Sequence, residues 1–195
     1  MKKVYLMRHS IAEKMDIPTS LIPLSEDGRK LAMSKRKDFS DVELCFSSSY
    51  KRAIETAELI AKDVNIVDGL QERIIGDARE DFWLKQYNDY DFKNLNGESL
   101  NEVKERMKTV IDIIIKKMSE GETALIISHA TAICAYLLNY CEIQVIDASC
   151  KSRKIIFQNK VIMNGTFDPA DYFEITFENN CPNSIKYCGK VNSSL

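Results

Sequence analysis

A chain of 195 residues suits one domain with a sizeable core, and 45% hydrophobic with 29% charged residues is ordinary for a globular protein. A formal net charge of -2 argues against a broad basic surface built for nucleic acid or anionic lipid. The apolar run after the opening "MKK" is too short for a signal-peptide core, and no stretch approaches the ~18 apolar residues of a membrane span. The expectation is a cytoplasmic protein with neither a membrane nor a nucleic-acid partner.

The elements alternate between apolar runs and helical patterns, which predicts an α/β fold. A first strand covers residues 2–8 and ends in Arg8 and His9. "PLSEDGRKLAMSKRKDF" starts a helix with Ser25 as N-cap and acids in its first turn. "VELCFSS" at 42–48 is a second strand, and "SYKRAIETAELIAKD" a helix capped by Ser49. "VNIVDG" is a short third strand. Residues 70–98 are aromatic-rich; Phe82, Trp83, Tyr87, Tyr90 and Phe92 there form either a substrate lid or a helix packed on the core. Ser99 and Glu102 make a capping box for a long helix with Val103, Met107, Val110, Ile111, Ile114 and Met118 on its apolar stripe. "GETALIISH" is the clearest strand and ends at His129, with "ATAICAYLLNY" as the helix behind it. From about 143 the runs "KIIFQ", "KVIM", "YFEITF" and "SIKYC" read as antiparallel strands at a sheet edge, so the domain spans 1–195 with a β-rich tail. The charge runs "KRK" and "KSRK" read as solvated faces.

Six cysteines carry no C-x-x-C spacing, and with two histidines a zinc site is not expected. They read as reduced, structural thiols, with a Cys181–Cys188 bridge as the minor alternative.

Both histidines sit just past an apolar strand, and in open α/β sheets ligands bind beyond the carboxyl ends of the strands. The strand at 42–48 ends shortly before Arg52. Arg8, His9, Arg52 and His129 are therefore expected to converge, and two guanidiniums with two imidazoles describe a site for a dianion such as phosphate. Helix N-termini near residue 50 and after His129 add partial positive charge. A neutral imidazole against phosphate is a nucleophile for phosphorus, with the arginines stabilising the equatorial oxygens. The leaving group needs a proton donor, for which Glu72 is the candidate and Asp77, Glu80 and Asp81 are rivals.

These residues resemble the histidine phosphatase superfamily, the phosphoglycerate-mutase-like enzymes. "LMRHS" is similar to its R-H-G signature, "LSEDGRKLA" to its L-[ST]-x-x-G helix start, and "SSSYKRAIETA" to its S-S-x-x-x-R-A-x-x-T-A motif. "LQER" resembles its L-x-E segment, "NGESLNEVKER" its G-E-S-x-x-E-x-x-x-R start, and "ALIISHATAI" its V-S-H-G-G-x-I strand end. "PNSI" at 182–185 resembles a late family strand. Ser10 and Ala130 stand where glycines are usual, and the W-N and G-x-W-E-G segments are absent. The resemblance implies a three-layer α/β/α sandwich with a mixed, mainly parallel sheet. It implies His9 as the phosphorylated nucleophile, Arg8, Arg52 and His129 as phosphate ligands, and Glu72 as acid/base. The expected activity is a cofactor-free, metal-independent phosphomonoesterase acting on a small phosphorylated metabolite or a phosphoprotein. The alternatives are a phosphoglycerate-type phosphomutase and a non-catalytic phospho-ligand binder.

Overall fold

The computed structural model describes residues 1–78 and 82–189. Its elements, in chain order, are β1 (Lys2–Arg8), α1 (Glu26–Lys35), β2 (Leu44–Ser47), α2 (Lys51–Ile60), β3 (Val64–Ile66), α3 (Phe82–Asn88) and α4 (Leu100–Lys117). There follow β4 (Thr123–Ser128), α5 (Ala130–Leu137), β5 (Glu142–Asp147), β6 (Ser152–Phe157), β7 (Lys160–Gly165), β8 (Tyr172–Glu178) and β9 (Cys181–Cys188).

A six-stranded sheet runs in the order β3-β2-β4-β1-β8-β9. The first four strands are mutually parallel, and β8 and β9 extend the sheet in antiparallel fashion. The central strands β1 and β4 are apolar on both faces because both faces are covered. Val4, Leu6, Ala124 and Ile126 point into a core with Val103, Met107 and Ile111 of α4 and Ile133 of α5. Tyr5, Met7, Leu125 and Ile127 point the other way, onto Ala53, Ala57 and Ile60 of α2. This alternation makes the three-layer α/β/α sandwich.

Two helix starts follow the sequence reading. Ser25 accepts the Gly28 N–H at the head of α1, and Ser99 with Glu102 forms the reciprocal box at the head of α4. The head of α2 does not. Its N-cap is Tyr50 rather than Ser49, with no side-chain cap, and Ser48 Oγ accepts the Tyr50 N–H instead. The hydroxyl at 48 is thereby held beneath the site.

The tail divides in two, which corrects the expectation of a single sheet edge. β8 and β9 do lie at the edge, with Phe173, Ile175 and Phe177 buried against the core. β5, β6 and β7 form a separate three-stranded antiparallel sheet. Within it the "KSRK" run is not a solvated face: Arg153 on β6 is 3% exposed and shares a strand face with Ile155 and Phe157. The Cys181–Cys188 alternative also falls. The two residues are the first and last of β9, roughly 23 Å apart at strand rise, beyond the reach of a disulfide. Cys45, Cys134 and Cys141 are buried free thiols, as read, whereas Cys150 and Cys181 are exposed. No helix among the described residues is long and apolar enough to cross a membrane.

Candidate active site

β1, β2 and β4 are neighbours running in one direction, so their carboxyl ends open at one place. His9 follows β1, Ser48 follows β2, and His129 follows β4 as the N-cap of α5. Arg52 reaches the same point from the first turn of α2. The rings of His9 and His129, 120 positions apart in sequence, lie 5.0 Å apart between centroids.

Arg52 ties them together. Its Nε donates to His9 Nε2 at 3.0 Å and its Nη2 to His129 Nδ1 at 3.1 Å. Its Nη1 donates to the Thr19 carbonyl at 2.5 Å, and the guanidinium stacks 5.0 Å from the Tyr50 ring centre. These contacts fix both tautomers, because a guanidinium only donates and a carbonyl only accepts. His9 Nδ1 carries a proton for the Ser10 carbonyl at 2.6 Å, which leaves a lone pair on Nε2. His129 Nε2 carries a proton for Ser48 Oγ at 2.8 Å. Burial, reinforced by Arg52 and Arg8, pushes the His9 imidazole down to about 3. Burial, then His9 and Arg52, holds His129 well below the ordinary histidine value. Both rings are neutral near pH 7.

Arg8 completes the cluster from the end of β1. One guanidinium nitrogen donates to the Phe167 carbonyl, and its buried Nε has no hydrogen-bond partner among the described residues. A buried charged donor left open in this way suits an anion. Ser10, in place of the usual glycine, is fully buried. Its N–H donates to Thr56 Oγ1 and its hydroxyl to the Gly28 carbonyl. Gly28 in turn is held against the loop so closely that a Cβ there would lie 2.0 Å from the Ile11 carbonyl oxygen.

The profile of the histidine phosphatase superfamily (branch 1) matches residues 4–150. The chain belongs to this superfamily. No curated protein matches the chain. Among solved structures it is similar to a mycobacterial glucosyl-3-phosphoglycerate phosphatase, at 18% identity over 96% of each chain and a TM-score of 0.71. It is also similar to a phosphoserine phosphatase from Entamoeba histolytica in complex with 3-phosphoglyceric acid, at 19% identity over 95% of this chain and 97% of that one, with a TM-score of 0.71. At these identities the likeness is one of fold.

Glu72, the candidate proton donor, lies against the head of α5. Its Oε1 accepts the N–H groups of Arg73 and Ala132 at 2.9 Å, and its Oε2 accepts that of Thr131 at 3.2 Å. Two of the free N–H groups at the head of α5 therefore serve Glu72. The G-E-S-x-x-E-x-x-x-R segment explains how Glu72 is held. Arg106 grips Glu98 with a two-pronged contact at 2.8 and 2.9 Å and donates to the carbonyls of Gly69, Gln71 and Glu72. All five guanidinium N–H groups are used.

Glu72 and Arg8 face a cavity of about 230 Å³, whose far wall is Trp83 of α3, Lys151, Arg153 and Asp168. Of the rival acids, Asp77 is exposed and lines a different recess beside Phe82 and Lys93. Glu80 and Asp81 lie outside the described residues. The sequence reading missed Ser48, Lys151, Arg153 and Asp168. Ser48 carries no charge to flag it, and the other three lie in the stretch beyond the superfamily match. α3 follows the packed-helix reading of the aromatic stretch, with Tyr87 against the main core, and its Trp83 lines the cavity.

Proposed function

We propose that the protein is a phosphomonoesterase that passes the phosphoryl group of a small metabolite to His9 and then to water. One observation carries this reading: two neutral imidazoles and a shared guanidinium meet at the carboxyl ends of adjacent parallel strands, with Arg8 beside them.

The chemistry follows from the donors. An incoming phosphate dianion is a better acceptor than a neutral imidazole, so it draws the N–H groups of Arg52 away from His9 Nε2 and frees the lone pair. Nε2 attacks phosphorus, the bond to the leaving oxygen breaks, and that oxygen takes a proton from the Glu72 carboxyl. Arg8 and Arg52 stabilise the charge spread over the equatorial oxygens, and the His129 Nε2–H joins them when the anion replaces Ser48 Oγ as its acceptor. In the second half Glu72, now a carboxylate, takes a proton from water. The water oxygen attacks phosphorus, the P–N bond breaks, and inorganic phosphate leaves with His9 restored. Superfamily membership and the phosphatase activities named for both structural neighbours support hydrolysis. The absence of the W-N segment of mutases supports it over return of the phosphoryl group to substrate.

The test is hydrolysis of p-nitrophenyl phosphate in EDTA by the intact protein and by His9→Ala. The expected result is turnover that is insensitive to the chelator and lost in the variant. Activity only after addition of a bisphosphate primer makes the protein a mutase, and phosphate binding without turnover makes it a binder; either result overturns the proposal.

A further inference from the structure

Arg153 is a buried cation that the proposed reaction does not use. It is 3% exposed, and no carboxylate lies within ion-pair distance of it among the described residues. Its guanidinium sits 5.3 Å from the ring centre of Trp83 and 5.8 Å from that of Tyr87. Nη1 donates to Tyr87 Oη at 2.8 Å and to Cys134 Sγ at 3.0 Å. Nε and Nη2 have only long contacts, 3.4 and 3.3 Å, to the single carbonyl of Lys151. A desolvated guanidinium with half of its fork on one distant carbonyl is poorly satisfied by the protein alone.

The same residue lines the 230 Å³ cavity that reaches Glu72 and Arg8. Three cations, Arg8, Lys151 and Arg153, share its wall with two acids, Glu72 and Asp168. Glu72 is not the missing partner: it makes no ion pair with Arg153, and three backbone N–H groups hold its oxygens, leaving one acceptor site on Oε2 for the proton the reaction moves. Lys151, at the tip of the β5–β6 hairpin, is exposed and without an ion-pair partner among the described residues. The cavity is smaller than the ~300–1,000 Å³ usual for ligand pockets, so it suits a molecule of a few carbons.

We propose that Arg153 and Lys151 form a second anion subsite, which receives a carboxylate on the leaving group of the substrate. The planar fork of Arg153 matches a planar carboxylate, with the Trp83 and Tyr87 rings fixing its plane and Lys151 adding a mobile charge from the solvent side. The protein then selects small phosphorylated acids over neutral phosphate esters of the same size. This rests on the phosphatase reading. Both cations stand beyond residues 4–150, so the selectivity belongs to the part of the chain that the superfamily profile does not describe.

The test compares 3-phosphoglycerate with glycerol 3-phosphate, which differ in a carboxylate against a hydroxymethyl group. The expected result is a kcat/KM ratio of roughly tenfold or more in favour of the acid. Arg153→Gln and, independently, the exposed Lys151→Ala reduce that ratio by about threefold or more. Equal turnover of the two esters by the unaltered protein, or a ratio that survives in Lys151→Ala, overturns the subsite and leaves the phosphatase standing. If neither ester is hydrolysed, calorimetric binding of the same two esters decides the subsite, and the p-nitrophenyl phosphate assay decides the phosphatase reading separately. Tighter binding of the acid, weakened in both variants, supports it; equal binding ends it.

Discussion

Arg52 is the residue on which the site turns. One guanidinium donates to both imidazoles, and by doing so it fixes their tautomers and opposes their protonation. The consequence is a pH dependence with a definite sign. His9 is held near 3 against an ordinary value of 6.5, and His129 is shifted the same way. Below about 6.5 the unfolded chain therefore binds more protons than the folded one. Stability is complete above that pH and declines as the pH falls from 6.5 toward 3, by up to about 1.4 kcal/mol per pH unit from His9, with His129 acting in the same direction. Urea unfolding of the free protein between pH 6.5 and 4.5 checks this: His9→Gln is expected to reduce the slope of stability against pH by close to one proton. An unchanged slope contradicts the account. At this scale Arg8, His9, Arg52 and His129 were legible because each follows a strand or opens a helix at a recognisable spacing. Arg153 was not, because its strand was read as starting at Lys154. The period of two in "SRKIIF" places Arg153 in phase with the buried Ile155 and Phe157, and that phase was the available signal.

At the scale of elements, the clamp between α4 and the segment after β3 governs where Glu72 sits. Arg106 and Glu98 are mostly buried, at 19% and 20% side-chain exposure, and the fork has no spare donor. Arg106→Ala leaves three carbonyls and a carboxylate without their donor. It is expected to cost about 2–3 kcal/mol in urea unfolding, against the 0–1 of a surface pair. It also lowers kcat with p-nitrophenyl phosphate, because the acid loses its register with α5. A loss below about 0.5 kcal/mol shows the clamp to be a surface decoration. The capping box and the N-cap at Ser25 were readable because they depend on side chains within one turn. The head of α2 was misread by one residue because local propensity favours Ser49 as N-cap, whereas Tyr50 takes that place without a side-chain cap and gives its N–H to Ser48. Only the tertiary demand of His129 for an acceptor selects Ser48.

Across the whole molecule, the centre of the sheet was legible from the unbroken apolar runs of β1 and β4, which report burial on both faces. The tail was legible as strands but not as two sheets. Strand pairing is chosen by partners distant in sequence, and the alternating patterns of β6 and β8 are alike. That division has a functional result. β8 completes the main sheet beside β1, while the β5–β6 hairpin brings Lys151 and Arg153 to the cavity. The parallel strands supply the imidazoles and the added sheet supplies the distal wall, so chemistry and selectivity come from different parts of the chain. The most direct measurement of the central claim is peptide mass spectrometry of the protein mixed with p-nitrophenyl phosphate and quenched in alkali within one turnover. The account predicts one phosphoryl group on the peptide carrying His9, absent in His9→Ala and discharged by water on a chase. Turnover with no phosphoryl group on His9 at any quench time, or with the group on another residue, would contradict it.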